Sequence, residues 1–343
     1  MKRLIVDRQI VRSNLTELRT RAGSAEIYAV LEYDAYGLGL EEMALLLREN
    51  GTRCFCVNEA EDAGRLRAAG LVDEDILMLR SVSDRNELEE LLDISVICTV
   101  GSNDAAVALN GVAEARGSVA AVHLRLDTGA GCGFLNSELD KVLAVYQYMP
   151  GLAVSGVYTD FSGFKLQRFR GGRQMEEFLA FVREIQAAGY ETGVIHACGA
   201  GALMRDGLLT GLDAVCIGSA LFRGGRGKAG RALRDAAWVE AWADEVRWVP
   251  KGYRLGSYKT KRPRKIGLFP AGTYNGCFKK PGGRPGISRR FVNIDGQKAR
   301  VLGRPQQGCI VADVTKLRCA AGTQAQIPAD PMSAKGIKRV YIE

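Results

Sequence analysis

Ala29-Val-Leu-Glu-Tyr-Asp-Ala-Tyr-Gly-Leu-Gly-Leu40 ends an apolar run at Glu32, crosses a glycine-punctuated loop and enters an amphipathic segment, Glu41 to Glu49. A short apolar run closed by a turn signal predicts a buried strand, and apolar residues at three- and four-residue spacing after it predict a helix. The same unit recurs on working outward. With Ile27–Leu31 as the first strand, Cys54–Val57, Ile76–Leu79, Ile94–Cys98, Ala121–Leu126, Leu152–Val157, Gly193–Ile195 and Ala214–Ile217 complete eight. Glu59–Ala69, Asp84–Leu92, Asp104–Ala115, Ser137–Tyr148 and Gln174–Ala188 supply helices between them. Strands alternating with helices predict a parallel sheet with crossovers, and eight such units close as a (β/α)8 barrel. Barrel chemistry lies at the C-terminal ends of the strands, so the residues following each strand are the ones to read for function.

After the eighth strand the pattern changes. Trp238–Trp248 has the spacing of an amphipathic linking helix. The chain then becomes rich in glycine and proline, with short strand-like runs at Lys265–Phe269, Arg290–Ile294, Ala299–Leu302 and Cys309–Val314. A chain of 343 residues accommodates a barrel of roughly 250 residues and a smaller module. The expected division is a barrel over residues 1–235 and a mostly-β domain over residues 236–343.

The composition, 47% hydrophobic and 25% charged, suits a chain that buries a large core. No apolar stretch approaches the ~20 residues that cross a bilayer, and the opening residues reach Asp7 before any signal-like core forms, so a cytoplasmic location and no membrane partner are expected. Nine cysteines without a C-x-x-C pair, together with only two histidines, indicate neither a zinc site nor a disulfide framework. The net charge of +8 is uneven. From Glu245 to Arg290 thirteen basic residues face Glu245 alone, a net of +12, which leaves −4 for the remainder. A solvated basic face is the expectation there, and nucleic acid is not an expected partner, because no recognised nucleic-acid motif accompanies the charge. Gly224-Gly-Arg-Gly-Lys-Ala-Gly230 fails as a phosphate loop, since Phe222 holds the first glycine position and Ala229 follows the lysine.

The stretch around Glu32 resembles the cofactor-lysine motif of the alanine racemase family, A-V-V-K-A-N/D-A-Y-G-H-G, with glutamate in place of lysine. Further matches follow in order. Phe55-Cys-Val-Asn-Glu-Ala-Glu-Asp-Ala-Gly-Arg-Leu-Arg-Ala-Ala-Gly70 is similar to that family's second strand and helix. Leu124-Arg-Leu-Asp-Thr-Gly-Ala-Gly131 resembles its L-K-x-D-T-G-M-G, Val157-Tyr-Thr-Asp-Phe161 its T-H-F segment, and Asp213-Ala-Val-Cys-Ile-Gly-Ser-Ala-Leu-Phe222 its V-R-x-G-I-A-L-Y-G. In the β domain, Val249-Pro-Lys-Gly, Gly256-Ser-Tyr258, Leu302-Gly-Arg304 and Asp313-Val-Thr315 resemble its P-x-G, V-S-Y-G, V-G-R and D-V-T. The resemblance implies a barrel of alanine racemase type followed by a β domain, pyridoxal phosphate (PLP) as cofactor, an amino-acid ligand and a head-to-tail homodimer.

Carried over position by position, the reaction centre is altered. Glu32 replaces the Schiff-base lysine, and a carboxylate forms no imine. Cys216 stands for the arginine that faces the pyridine nitrogen, Cys132 for the arginine after D-T-G-M-G, and Asp160 for the histidine of T-H-F. Thr273, beside Tyr274, takes the place of the tyrosine base, and Cys132 and Gln307 fall at substrate-contact positions. Tyr36, His196, Gly218 and Ser219 remain from the cofactor-binding set. Racemisation requires one group to take the α-proton, another to return it on the opposite face, and an electron sink. The expectation is therefore a diverged family member that has lost Lys-bound PLP catalysis and binds an amino acid, a phosphate-bearing ligand or a partner protein. The alternative is an active racemase or related isomerase in which Glu32, Tyr274 or the cysteines Cys132, Cys198 and Cys216 act as replacement bases. Glu32 and Asp160, if close, would form an acid/base pair.

Overall fold

A computed structural model describes residues 1–161, 171–204, 211–224, 232–256, 258–278 and 290–343. The chain forms two compact units. One comprises Arg12–Ala35 and Gly39–Arg234; the other comprises Met1–Val11, Tyr36–Leu38 and Asp235–Glu343.

The chain opens with β1 (Lys2–Asp7) and α1 (Arg8–Ala22). The first barrel strand, β2 (Glu26–Val30), leads through α2 (Glu32–Gly37) and α3 (Leu40–Glu49) to β3 (Cys54–Val57). Then come α4 (Ala60–Ala68), β4 (Asp75–Ser81), α5 (Arg85–Asp93), β5 (Ile97–Val100), α6 (Asn103–Ala115), β6 (Ala120–Leu126) and α7 (Leu139–Tyr148). The series ends with β7 (Leu152–Asp160), α8 (Gly171–Ala187), β8 (Val194–Cys198), α9 (Ala200–Leu203) and β9 (Ala214–Ile217). Strands β2 to β9 pair in sequence order, all in parallel, and β9 closes on β2. The sequence reading of eight βα units is thus correct in number and order.

The strands form where they do because helices cover one face of the sheet and the barrel interior fills the other, so a strand is apolar almost throughout. All of β3 and β9 is buried. Alternate residues then point inward. Tyr28 and Val30 of β2, Cys54 and Cys56 of β3, Leu77 of β4 and Ala214 and Cys216 of β9 form one buried cluster, with Leu79, Ile97 and Val194 packed against it. Residues from six strands meet in this way only inside the barrel. Helix starts are chemically marked at α5 and α6, where the Asp84 and Ser102 side chains accept from the backbone amides of Glu87 and Ala105.

The second unit is built on a largely antiparallel sheet. Its strands are β10 (Ala237–Trp242), β11 (Glu245–Val249), β12 (Arg254–Leu255), β13 (Tyr258–Lys259), β14 (Arg264–Phe269), β15 (Asn275–Cys277), β16 (Phe291–Ile294), β17 (Gln297–Val301), β18 (Ile310–Asp313), β19 (Gln324–Ala334) and β20 (Arg339–Ile342). The main order is β11-β14-β18-β17-β16-β19-β10-β1-β20, with β15 on β19 and a separate β12–β13 hairpin. Trp238–Trp248 is therefore not a linking helix: it forms β10 and β11. The spacing misled because β10 packs on both faces, with Ala237, Val239, Glu240 and Ala241 all buried. Such a strand loses the two-residue alternation that distinguishes it from a helix. The division at 235/236 leaves out β1, which pairs antiparallel with β10 and parallel with β20. Among the described residues no helix is long and apolar enough to cross a membrane.

Candidate functional site

Glu32 follows β2 directly, Cys132 lies in the loop after β6, Asp160 ends β7, and Gly218 and Ser219 follow β9. The parallel barrel thus brings these five to the C-terminal ends of its strands. Their fixed partners come from neighbouring strands. Asn58, just beyond β3, donates from Nδ2 to Glu32 Oε2 at 2.7 Å. Arg80 of β4 donates from Nε to the Asn58 carbonyl at 3.1 Å and pairs with Glu87 and Glu59. Arg125 of β6 pairs with Asp160 of β7, reaches the Leu79 carbonyl from Nη1 at 3.4 Å, and lies 5.8 Å over the Tyr158 ring. The result is a polar belt along the strand ends, in which Glu32 is held by an amide and Asp160 by a guanidinium. Asn58, Arg80 and Arg125 were not singled out from sequence, because only the barrel register shows whom they meet.

One layer below, His196 is a structural histidine: it is wholly buried in the barrel interior, stacked on Tyr158 at 4.8 Å and tilted against Tyr28 at 5.2 Å. Its Nε2 lies 2.8 Å from His123 Nδ1 and its Nδ1 lies 3.2 Å from Cys216 Sγ. Cys216 is likewise an interior residue, 2% exposed, and not a thiol at the strand ends. Two-residue alternation explains both placements, since each sits mid-strand on the inward face. Burial lowers the pKa of His123 to about 4 and drives that of His196 well down, with the neighbouring His123 adding to the effect. The imidazoles are therefore neutral near pH 7, and a neutral chain of this kind has one proton per hydrogen bond. Gly156 makes room for it: a Cβ there would lie 2.6 Å from His123 Nε2. Cys132, by contrast, is exposed, and the described cysteines are free thiols. Cys198 ends β8, and its side chain lies outside the described residues.

Tyr36 belongs to α2, and α2 has the unusual hand. Tyr33, Asp34, Ala35 and Tyr36 have φ of 55°, 57°, 50° and 57°. A left-handed turn costs L-residues roughly 1–2 kcal/mol each, so other contacts must hold it. Asp34 Oδ1 accepts from the Leu40 amide at 3.0 Å and from Arg65 Nη2 at 3.3 Å. Gly37, at φ 80°, passes so close to the backbone of Pro331 that a Cβ would lie 2.5 Å from its carbonyl carbon.

The remaining predicted residues meet in the second unit. Thr273 and Tyr274 donate their amides to the carbonyls of Gln306 and Gln307 at 2.9 and 3.0 Å. Gly272 permits that approach, because a Cβ there would lie 2.2 Å from the Gln306 carbonyl oxygen. The buried Asn275 anchors the turn by accepting from Lys2 Nζ at 3.1 Å and donating to the Lys335 carbonyl at 2.9 Å. Tyr274 is 53% exposed.

These residues do not fit a Schiff base with PLP. Glu32 cannot condense with an aldehyde, and Cys216 supplies no cation to a pyridine nitrogen from within an apolar cluster. Among the described residues of the barrel unit the one lysine is Lys141, on α7 and paired with Glu138 at 2.5 Å. Lys165 and Lys228 lie outside the described residues, as does most of the Gly224–Gly230 segment. Among the described residues no group of three or more histidine, cysteine or carboxylate side chains is arranged to hold a metal ion.

Comparison with known proteins agrees with the architecture. The sequence profile of the alanine racemase N-terminal domain matches residues 6–225. An alanine racemase of Clostridium perfringens is 30% identical over 326 residues, covering 91% of this chain and 81% of that protein. One from Desulfosudis oleivorans is 28% identical, covering 91% and 82%. The fold of alanine racemase from D-cycloserine-producing Streptomyces lavendulae superposes with a TM-score of 0.85 at 24% identity, covering 100% of this chain and 97% of that one.

Proposed function

Because the chain belongs to the alanine racemase family, we propose that it is a member without Lys-bound PLP catalysis, whose barrel mouth binds an amino acid or a phosphate-bearing small molecule. The observation that carries this reading is the Glu32 carboxylate, held by Asn58 where the family motif has lysine. Among the described residues the barrel unit offers no lysine at its strand ends. Glu32, Asp160 and Arg125 supply both signs of charge there, which suits a zwitterionic ligand such as an amino acid. The reading includes a homodimer in the cytoplasm, and light scattering of the purified protein checks the dimer.

The test is absorption titration with PLP, then borohydride reduction and mass mapping, with alanine racemisation assayed in parallel. The expected result is no specific lysine adduct and no racemisation. Turnover, with an adduct at one lysine or without any adduct, would instead establish the competing reading, an active racemase using PLP or replacement bases. That alternative is favoured by Tyr274, whose exposed ring adjoins the Thr273 position.

A further inference from the structure

Between β11 and β14 the chain makes an excursion that exposes one sign of charge. Thr260, 2% exposed, pins it from inside: its Oγ1 accepts from the Tyr253 amide at 2.9 Å and donates to the Pro250 carbonyl at 2.7 Å. Tyr253, Leu255 and Tyr258 pack onto Val249, Ile266 and Leu302. The apolar side chains being turned inward, Lys251, Arg254, Lys259, Lys261 and Arg262 are left exposed. Among the described residues none of these five forms an ion pair. Within the β12–β13 hairpin Arg254 sits directly opposite Lys259. Like charges in that register destabilise a hairpin, so the arrangement works against the fold and is relieved by an anion. Trp248, on the edge strand β11 just before the excursion begins, is 62% exposed, while its neighbour Arg247 pairs with Glu245 at 3.2 Å.

We propose that this excursion docks the phosphate backbone of a single-stranded nucleic acid, with Trp248 stacking on a base. Exposed cations without carboxylate partners are the electrostatic footprint of such binding, and an exposed aromatic on the strand that leads into them can serve as a stacking platform. A lipid surface fits less well, because Leu255 and Tyr258 are packed onto the sheet rather than offered for insertion. The proposal revises the sequence expectation of a merely solvated basic face, and it does not depend on the proposed barrel ligand.

The test is anisotropy of a fluorescein-labelled oligouridine titrated with the full chain over a series of salt concentrations. Saturable binding is expected, with a slope of log affinity against log salt of about −3, from roughly 0.7 per phosphate contact. The double variant Lys259→Glu, Lys261→Glu should flatten that slope by about 1.4 and weaken binding at least ~10-fold. Its Tm should hold or rise, because the carboxylate introduced opposite Arg254 replaces a like charge with an opposite one. Trp248→Ala should weaken binding on the order of tenfold without changing the slope, and Trp248→Phe should restore most of it. No saturable binding at low salt would overturn the proposal, as would unchanged binding by the double variant. Equal competition by polyglutamate or by vesicles containing phosphatidylglycerol would overturn it too, reducing the excursion to a general anionic or membrane-surface contact.

Discussion

His123 and His196 are the chain's only histidines, and the barrel buries both in contact with each other. An unfolded imidazole takes up a proton near pH 6.5, whereas burial holds His123 at about 4 and His196 well below its ordinary value. Between those limits the unfolded chain binds protons that the folded chain does not, so acid favours unfolding. The stability due to neutral burial is complete above about pH 6.5 and is lost as pH falls toward 4, at about 1.4 kcal/mol per pH unit for each histidine. Urea unfolding at a series of pH values should show this decline, and His123→Asn should reduce its slope by about 1.4 kcal/mol per unit. A slope unchanged by that substitution would mean that His123 is protonated in the fold. This pairing also shows what a sequence withholds at residue scale. His196 was recognised by its motif, but its burial follows from strand alternation and its partner from another strand 73 positions away. Asn58 and Arg125 carried no motif meaning of their own, and they became visible only once Glu32 and Asp160 had positions.

Elements were legible where one physical signal dominated. The barrel strands were readable because parallel strands buried on both faces are continuous apolar runs between amphipathic helices. β10 was misread by the same physics, since burial on both faces in an antiparallel sheet removes the alternation. The left-handed α2 had no sequence signal beyond its glycines, for Tyr33 to Tyr36 includes none of the residues that favour positive φ except Asp34. Tyr33 is 65% exposed in that turn, so its conformational cost is offset by little packing of its own. Asparagine tolerates the left-handed region, and Tyr33→Asn should therefore raise unfolding stability by about 1 kcal/mol in urea denaturation. If stability falls instead, the Tyr33 ring contributes more by contact than its exposure implies.

At the scale of the whole molecule, the sheet of the second unit draws a strand from the other end of the chain. Composition placed the change at 235/236, because a run such as Leu4-Ile-Val6 carries no mark of which distant strand it will join. In the fold, Leu4, Ile5 and Val6 are at most 1% exposed, and β1 lies between β10 and β20. Burying three such side chains is worth roughly 1.5–3 kcal/mol apiece, together about 5–9 kcal/mol, against a total of roughly 5–15 kcal/mol for a typical folded protein. Without β1, β20 also loses the strand it pairs with and β10 becomes an open edge. A fragment of residues 235–343 should consequently lack a cooperative thermal transition and dispersed amide resonances. A synthetic peptide of residues 1–11 added in trans should restore both, as the missing strand re-enters between its two partners. Cooperative unfolding of the fragment alone would show that the sheet closes without β1, and that the composition-based boundary is a true folding boundary.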